Sequence, residues 1–152
     1  AGVDGGVTAT PVPWLELAAS GSIVRARDRS NDRYLTLVPA DRAVASVTLR
    51  RDTLWGLGKS HLGVTATFVR RQTRVDANTD LAPPPPGYAL FGLEAGSEVT
   101  SGGRPVRFSV DVQNLTDARY RDYTSLLRYF ADQPGRQITV RLSVPLDAAD
   151  GS

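Results

Sequence analysis

Apolar and polar residues alternate with a period of two through most of this chain of 152 residues. Successive side chains of a β-strand point to opposite faces, so this period is typical of strands that bury only one face. Seven stretches carry the alternation, with apolar series that begin at Val3, Leu15, Ala43, Leu62, Ala89, Val106 and Ile138. The sequence therefore predicts a single all-β domain over 1–152, an antiparallel up-and-down meander of about seven strands.

The amino-acid composition excludes several kinds of site. The chain has no cysteine, which removes disulfides, thiolate metal sites and cysteine nucleophiles, and it has one histidine, His61. Lysine and arginine number 18 against 16 for aspartate and glutamate, so the net charge is only +2. Proteins that bind nucleic acid usually cluster a larger excess of positive charge. We therefore expect no metal site, no cofactor and no nucleic-acid partner.

The predicted connections alternate between short and long. The short ones are 11–13 and the regions around 52–59 and 100–105, and the long ones are 28–41, 74–87 and 116–135. In an up-and-down meander this order places every short turn at one end of the sheet and every long loop at the other. Outer-membrane barrels have short periplasmic turns and long external loops. The pattern therefore favours the wall of a barrel.

The tryptophans agree with this interpretation without deciding it. Trp14 and Trp55 both fall at the short-turn end, where an aromatic belt at a membrane interface would lie. Rings that merely cap an apolar face would fall there as well.

The alternation leaves open which face of the strands is inside. In a membrane-spanning wall the apolar face meets lipid and the polar face lines a wet lumen. In a small closed β-barrel in water the apolar face forms a packed core, and eight strands suffice for side chains to fill such an interior. Both arrangements bury one face of every strand, so alternation alone does not separate them.

The region after Phe108 carries a motif. It reads Asn-Leu-Thr-Asp-Ala-Arg-Tyr at 114–120, and Gly-Arg follows at 135–136. This region resembles the C-terminal end of a TonB-dependent outer-membrane receptor, in which Asn-Leu-(Phe/Thr)-Asp-x-x-Tyr ends the penultimate strand and Gly-Arg opens the last one. Segments 38–42 and 80–93 resemble loop-to-strand junctions of the same family. The motif residues are Asn114, Leu115, Asp117, Tyr120, Gly135 and Arg136.

The resemblance implies an outer-membrane receptor for uptake of a bulky ligand such as a siderophore. Its partners would be the remaining barrel strands and a plug domain, together with membrane lipid or lipopolysaccharide. Such transporters have barrels of about 22 strands with a plugged lumen, and neither the plug nor the segment that engages the energy-transducing protein is in this sequence. We therefore expect a C-terminal piece of the barrel that is not competent for transport alone.

A soluble protein derived from such a receptor is the alternative. An isolated arc of strands leaves two unpaired edges. The missing strands would cover them, as would edge-to-edge pairing of identical chains in a homo-oligomer, or closure into a small barrel. A closed barrel would leave the protein in water, with ligand binding or a weak hydrolase activity of the esterase type.

The motif residues also have a structural explanation. Asn and Asp side chains bond to nearby backbone groups, which ends a strand and begins a loop. Gly135 can supply a backbone geometry that other residues resist as the chain re-enters the sheet. We expect the motif to shape the junction between two strands rather than to contact a ligand.

His61 is the single candidate for a catalytic base. Ser60 is adjacent to it on a strand and therefore points to the opposite face. A nucleophile would have to come from another strand, and the serines on polar faces are Ser20, Ser22, Ser46 and Ser109. No Gly-x-Ser-x-Gly motif is present. We therefore favour a non-enzymatic protein in which His61 is an ordinary side chain of the polar face.

Arginines gather at the predicted long-loop ends of the strands. An arginine offers a bidentate fork to carboxylate, catecholate-type or phosphate groups, which indicates a basic vestibule for an anionic ligand such as an iron chelate, or for lipopolysaccharide phosphates. Solvated strand ends balanced by nearby aspartates are the alternative explanation. The arginines are Arg25, Arg27, Arg70, Arg71, Arg119 and Arg121, with Arg74 and Arg128 beside them.

Overall fold

The computed structural model describes residues 1–54 and 56–144. Its strands, in chain order, are β1 (Gly2–Val12), β2 (Leu15–Val24), β3 (Arg27–Asp28), β4 (Arg33–Tyr34), β5 (Arg42–Leu54), β6 (Leu57–Val69), β7 (Tyr88–Ser101), β8 (Arg104–Gln113) and β9 (Gln137–Ser143). A short 3₁₀ helix spans Leu126–Tyr129. No helix in the described ranges is long and apolar enough to cross a membrane.

The seven long strands form one antiparallel sheet in the order β1-β2-β5-β6-β7-β8-β9. This is the up-and-down meander that the alternation predicts, so the all-β prediction is confirmed. β1 and β9 lie at the two edges and do not pair with each other within the described ranges, so the sheet is an open arc. The small closed β-barrel, one of the two arrangements left open by the sequence, is not formed.

The pairing register gathers the apolar positions on one face. One row crosses the whole sheet through partners that face each other, and its members are Ala9, Leu17, Val47, Val64, Leu93, Val112 and Ile138. The next row belongs to the other face, and from β2 to β9 its members are Glu16, Thr48, Gly63, Glu94, Asp111 and Thr139. The register therefore separates an apolar face from a polar face in every long strand.

Nothing in the described structure covers the apolar face. Val64 in the middle of the sheet is 45% exposed, and Val140 on the edge strand is 72% exposed. Among the described apolar residues only Val112 and Tyr123 are buried. The sheet is thus a single layer, whose apolar face is an outer surface rather than a protein core. A contiguous apolar surface of this kind marks a contact with lipid or with another protein.

The connections alternate as the sequence predicts. Two-residue turns join β1 to β2 and β7 to β8, whereas long loops occupy 25–41, 70–87 and 114–136. Gly102 and Gly103 in the second of these turns have φ angles of 58° and 78°, the left-handed values that a two-residue hairpin turn needs. Trp55 and Leu146, the latter at the predicted end of the last strand, lie outside the described residues.

Two elements of the loops were missed from the sequence. β3 and β4 form a separate two-stranded sheet within the first long loop, and the 3₁₀ helix lies in the third long loop. Two paired residues are too few to show a period of two, and one turn of 3₁₀ helix is too short to show a helical period.

The motif builds the junction from β8 to β9. Asn114 has a left-handed φ of 50°. Its side-chain amide donates to the Ala118 carbonyl at 2.9 Å, and its side-chain oxygen accepts from the Ala118 amide at 2.8 Å. Further on, the Asp117 carboxylate accepts from the Arg136 amide at 2.8 Å. These bonds close the turn after β8 and join it to the start of β9.

Gly135 is explained by a close approach rather than by a special backbone angle. Its φ is not among the positive values of the described residues. A Cβ atom added at Gly135 would lie 2.5 Å from Oδ1 of Asp117. Since the same oxygen binds the Arg136 amide, the carboxylate has no room for a side chain at 135.

Tyr120 and Leu115 tie the motif to β7. The Tyr120 ring packs against the Tyr88 ring with centroids 4.5 Å apart. The Leu115 amide donates to the Phe91 carbonyl at 2.7 Å, so pairing with β7 continues past the end of β8. The motif residues therefore contact protein groups of the neighbouring strands.

Substitution of Gly135 by alanine should displace the Asp117 carboxylate and destabilise the β8–β9 junction by about 1.5 to 3 kcal/mol, the contribution of a hydrogen bond to a charged group. Asp117→Ala removes the same bond. The double variant should therefore cost little more than either single one, because both changes act on one contact. Urea unfolding in detergent micelles measures these values.

Gly5→Ala is the matched control, because a Cβ added at Gly5 meets no atom within 4 Å. Additive losses in the double variant would show that Gly135 and Asp117 do not depend on each other.

Candidate functional site

Arg25 forms a bidentate ion pair with Asp41 at the long-loop end of the sheet. Its two terminal nitrogens donate to the two carboxylate oxygens of Asp41 at 2.5 and 2.9 Å. The hydrogen bond from Arg25 holds the pKa of Asp41 below its ordinary value, against the opposing effect of partial burial. Positive charge on Arg74 and Arg70 lowers that pKa further. Three guanidinium groups thus act on one carboxylate.

Segment 70–74 is pinned in place beside this pair. Gln72 is 4% exposed, and its side-chain amide donates to the carbonyls of Val38 and Pro39 at 3.0 and 3.2 Å. Its side-chain oxygen accepts from the Arg74 amide at 3.0 Å. Gln72 therefore positions the backbone that carries the arginines.

Arg70, Arg71 and Arg74 are exposed. Together with Asp41 they line one small cleft around Gln72. None of the three forms an ion pair with a described carboxylate. We call Arg25, Arg70, Arg71 and Arg74 the arginine cluster.

The other predicted arginines lie in different surroundings. Arg27 pairs with Asp32 at 2.8 Å. Arg121 donates to Asp132 at 2.6 Å and to the Arg128 carbonyl at 2.8 Å. Arg119 is exposed in the third long loop. No described contact joins this loop's arginines to the arginine cluster, so the structure brings together only part of the set.

Arg128 is not part of a solvent-facing vestibule. Its side chain is 2% exposed and forms an ion pair with Asp80, whose side chain is 3% exposed. The guanidinium lies between the rings of Tyr123 and Tyr129, 4.6 and 4.3 Å from their centroids. This buried pair joins the second long loop to the third.

Asp80 accepts hydrogen bonds from three side chains. Besides Arg128, the hydroxyls of Tyr129 and Tyr123 donate to it, each at 2.9 Å. Burial alone would raise the pKa of Asp80, but these bonds and that from the Ala82 amide hold it below its ordinary value. Asp80 could not be recognised as a partner from the sequence, because 43 and 49 residues separate it from Tyr123 and Tyr129 and no period links the two loops.

His61 lies on the polar face, as the alternation predicts for its position. Its Nε2 is 3.2 Å from Oε1 of Glu94 on β7, and its ring lies against Gly96. Ser60 points away and shares a 2.8 Å hydrogen bond with Ser97. No described serine hydroxyl is hydrogen-bonded to His61, so the described residues contain no assembled serine–histidine pair.

Metal-ligating side chains do not converge in the described structure. No group of three or more His, Asp or Glu residues there has the spacing to hold an ion.

Asp80→Asn should open the contact between the second and third long loops, because it leaves the Arg128 charge buried without its partner. Breaking a buried pair from one side costs about 3 kcal/mol or more. Hydrogen exchange of the amides in 122–130 should accelerate accordingly.

Asp132→Asn is the control, since its pair with Arg121 is about 40% exposed on both sides and exposed pairs contribute about 1 kcal/mol or less. Equal acceleration in the two variants would contradict a stabilising role for the buried pair.

Acid should have the same effect as Asp80→Asn. Because the folded-state pKa of Asp80 is lowered, its contribution is present above the unfolded-state value of about 3.9 and is lost as the pH falls below it. Amide exchange in 122–130, corrected for the intrinsic pH dependence, should show loss of protection in the window below about pH 3.9. Protection that is unchanged in this window would contradict the assignment.

A known protein similar to this chain is found by comparing structures and not by comparing sequences. No protein-family model matches the chain, and no curated protein matches it in sequence. Among solved structures, the copper transporter OprC is similar to this chain with a TM-score of 0.79 and 21% sequence identity. The similarity covers 93% of this chain and 22% of that chain.

The chain therefore spans about a fifth of the length of the transporter chain that it resembles. Similarity at this identity establishes the fold. The seven-stranded sheet with its long loops at one end is folded like one part of a transporter protein.

Proposed function

We propose that this chain forms part of the barrel wall of a TonB-dependent outer-membrane receptor for a bulky ligand. The observation that carries the proposal is the uncovered apolar face of the sheet, which runs through all seven long strands in register. Outer-membrane barrels present such a face to lipid and a polar face to the lumen. The motif at 114–136 and the structural similarity to part of a transporter support the same conclusion.

The long loops are assigned to the outside of the cell. In outer-membrane barrels short turns face the periplasm and long loops face outward. The loops at 25–41, 70–87 and 114–136 all leave the same end of the sheet. The arginine cluster and the buried Asp80–Arg128 pair then lie on the external side.

The partners proposed for this chain are the remaining strands of the barrel and a plug domain. Within residues 1–54 and 56–144, the edge strands β1 and β9 each have one side without a strand partner, which is where the rest of the wall would pair. The polar face, with its cross-strand pairs such as Arg107–Glu98 at 2.7 Å, would face the plug. On this proposal the chain alone does not transport.

We propose a siderophore-type metal chelate as the ligand class, on the basis of the resemblance at 114–136. The similar solved protein is named as a copper transporter, and the soft ligands that select Cu(I) in proteins are thiolate and thioether groups. This chain contributes neither, because it has no cysteine and no methionine. A whole chelate, recognised by its outer groups, requires no metal ligands from the wall.

The test is a matched pair of substitutions on adjacent residues of β6. Val64→Arg places a charge on the apolar face, where it should cost about 2 to 4 kcal/mol of insertion into a bilayer. Thr65→Arg places the same charge on the polar face, beside Gly92, and should leave insertion near the wild-type level. Refolding from urea into phosphatidylcholine vesicles, followed by flotation, measures the inserted fraction.

Equal loss in the two variants would contradict a lipid-facing apolar surface. A monodisperse monomer of wild-type chain in buffer without detergent would contradict it as well.

A further inference from the structure

We propose that the arginine cluster binds the phosphate group of a membrane lipid on the outer side of the sheet, just beyond the apolar face. The inference rests on the proposed function in one respect, namely that the apolar face lies in lipid. It goes further by separating these arginines from the path of the transported ligand.

The position of Arg25 and Arg70 follows from the alternation of the strands. Arg25 comes two residues after Ile23, and Arg70 two residues after Phe68, both of which are nearly half exposed on the apolar face. The amide of each arginine is still hydrogen-bonded to the adjacent chain, at 2.8 Å for Arg25 and 2.9 Å for Arg70. Strand geometry therefore continues, and both positions belong to the apolar face rather than the polar one.

The distance along the strand places these arginines at the level of lipid headgroups. Two residues of strand advance about 7 Å. Apolar side chains such as Phe68 end the band that we assign to hydrocarbon, so the next outward-facing positions meet the polar layer. Arginine stems lie along apolar surface while their charged groups reach the interface.

The charge of the cluster is unbalanced. Arg25 already occupies both oxygens of the Asp41 carboxylate, and the positive charges of Arg70 and Arg74 also act on that carboxylate. Arg70, Arg71 and Arg74 are exposed around the same cleft and have no described ion-pair partner. The site therefore offers free guanidinium donors to an anion.

The cleft is organised before any ligand arrives. Gln72 is buried and bonds to the chain at 38–39 and to the Arg74 amide. A buried glutamine with both ends of its amide bonded holds the arginine-bearing segment in one conformation. Preorganised donors lose less conformational entropy on binding.

Phosphate is the anion that this geometry fits on this face. Guanidinium groups recognise phosphate through parallel, charge-assisted hydrogen bonds. A transported ligand would pass along the polar face, where Arg25 and Arg70 do not point, whereas lipid surrounds the apolar face. We therefore commit to a lipid phosphate as the occupant.

The experiment titrates the detergent-solubilised chain with phosphatidic acid, which carries a phosphate monoester, and with phosphatidylcholine, whose phosphate is screened by choline. Native mass spectrometry reports the lipid-bound fraction. The chain should bind phosphatidic acid more tightly. Arg70→Gln should weaken that binding about fivefold, since one basic residue near a lipid surface contributes about that factor.

Arg119→Gln is the matched control, because Arg119 is also exposed and its loss changes the net charge equally. It should leave binding unchanged. An equal loss of phosphatidic acid binding in Arg70→Gln and Arg119→Gln would show that the binding is general electrostatic attraction and would contradict a specific site.

Asp41→Asn should change the affinity for phosphatidic acid in the opposite direction from Arg70→Gln. It frees Arg25 from its carboxylate, so phosphatidic acid should bind more tightly even though the ion pair is lost. Thermal unfolding of the variant checks that the sheet persists. Unchanged or weaker binding by a folded variant would overturn the proposal.

Two further measurements distinguish a simple anion site from a lipid-phosphate site, and failure of the lipid-phosphate site from failure of the proposed function. Inorganic phosphate should not displace phosphatidic acid, and displacement at equal concentration would replace the lipid site by a simple anion site. Insertion of the chain into phosphatidylcholine vesicles tests the proposed function by itself. Normal insertion without a preference for phosphatidic acid would contradict only the lipid-phosphate site.

Discussion

The hydrogen-bonded register of a single-layer sheet is the constraint on which the rest of this structure depends. The five inner long strands satisfy their backbone groups on both neighbours, β1 and β9 do so on one side only, and the register aligns the apolar side chains of all seven strands on one face. Because no second layer packs on that face in the described part of the chain, its burial has to come from the surroundings. A bilayer meets this requirement without satisfying backbone groups itself, which is why the sheet is interpreted as a membrane wall.

Side-chain packing is concentrated at one end of this wall. There the long loops contain a buried ion pair packed against two tyrosine rings. They also contain a buried glutamine whose side chain hydrogen-bonds to a second loop. Most of their polar groups have hydrogen-bond partners, as burial requires, and in the described structure the buried Nε of Arg128 is the exception. The glutamine also fixes the backbone that carries Arg70, Arg71 and Arg74.

Much of the fold could be predicted because it depends on short-range pattern. Alternation at Val106 to Val112 identifies a strand without knowledge of its neighbours, and the loop lengths identify the meander. Which face of the strands is inside could not be predicted, since a membrane-spanning wall and a closed barrel in water show the same alternation. Pairs such as Asp80–Arg128 were beyond prediction because they join distant loops, and Gly135 was assigned to backbone freedom when the actual reason is the carboxylate of Asp117. The strand-end arginines could be predicted as a group, but their division between the two loop regions depends on contacts between segments that are distant in sequence.

The most direct test of the lipid-facing apolar surface uses the absence of native cysteine. Single cysteines introduced one at a time from Leu62 to Phe68, spin-labelled and placed in phosphatidylcholine vesicles, report collisions with oxygen, which concentrates in lipid, and with a water-soluble nickel chelate. The account predicts a period of two, with oxygen favoured at 62, 64, 66 and 68 and the nickel chelate at 63, 65 and 67. The opposite phase, or no alternation, would contradict it.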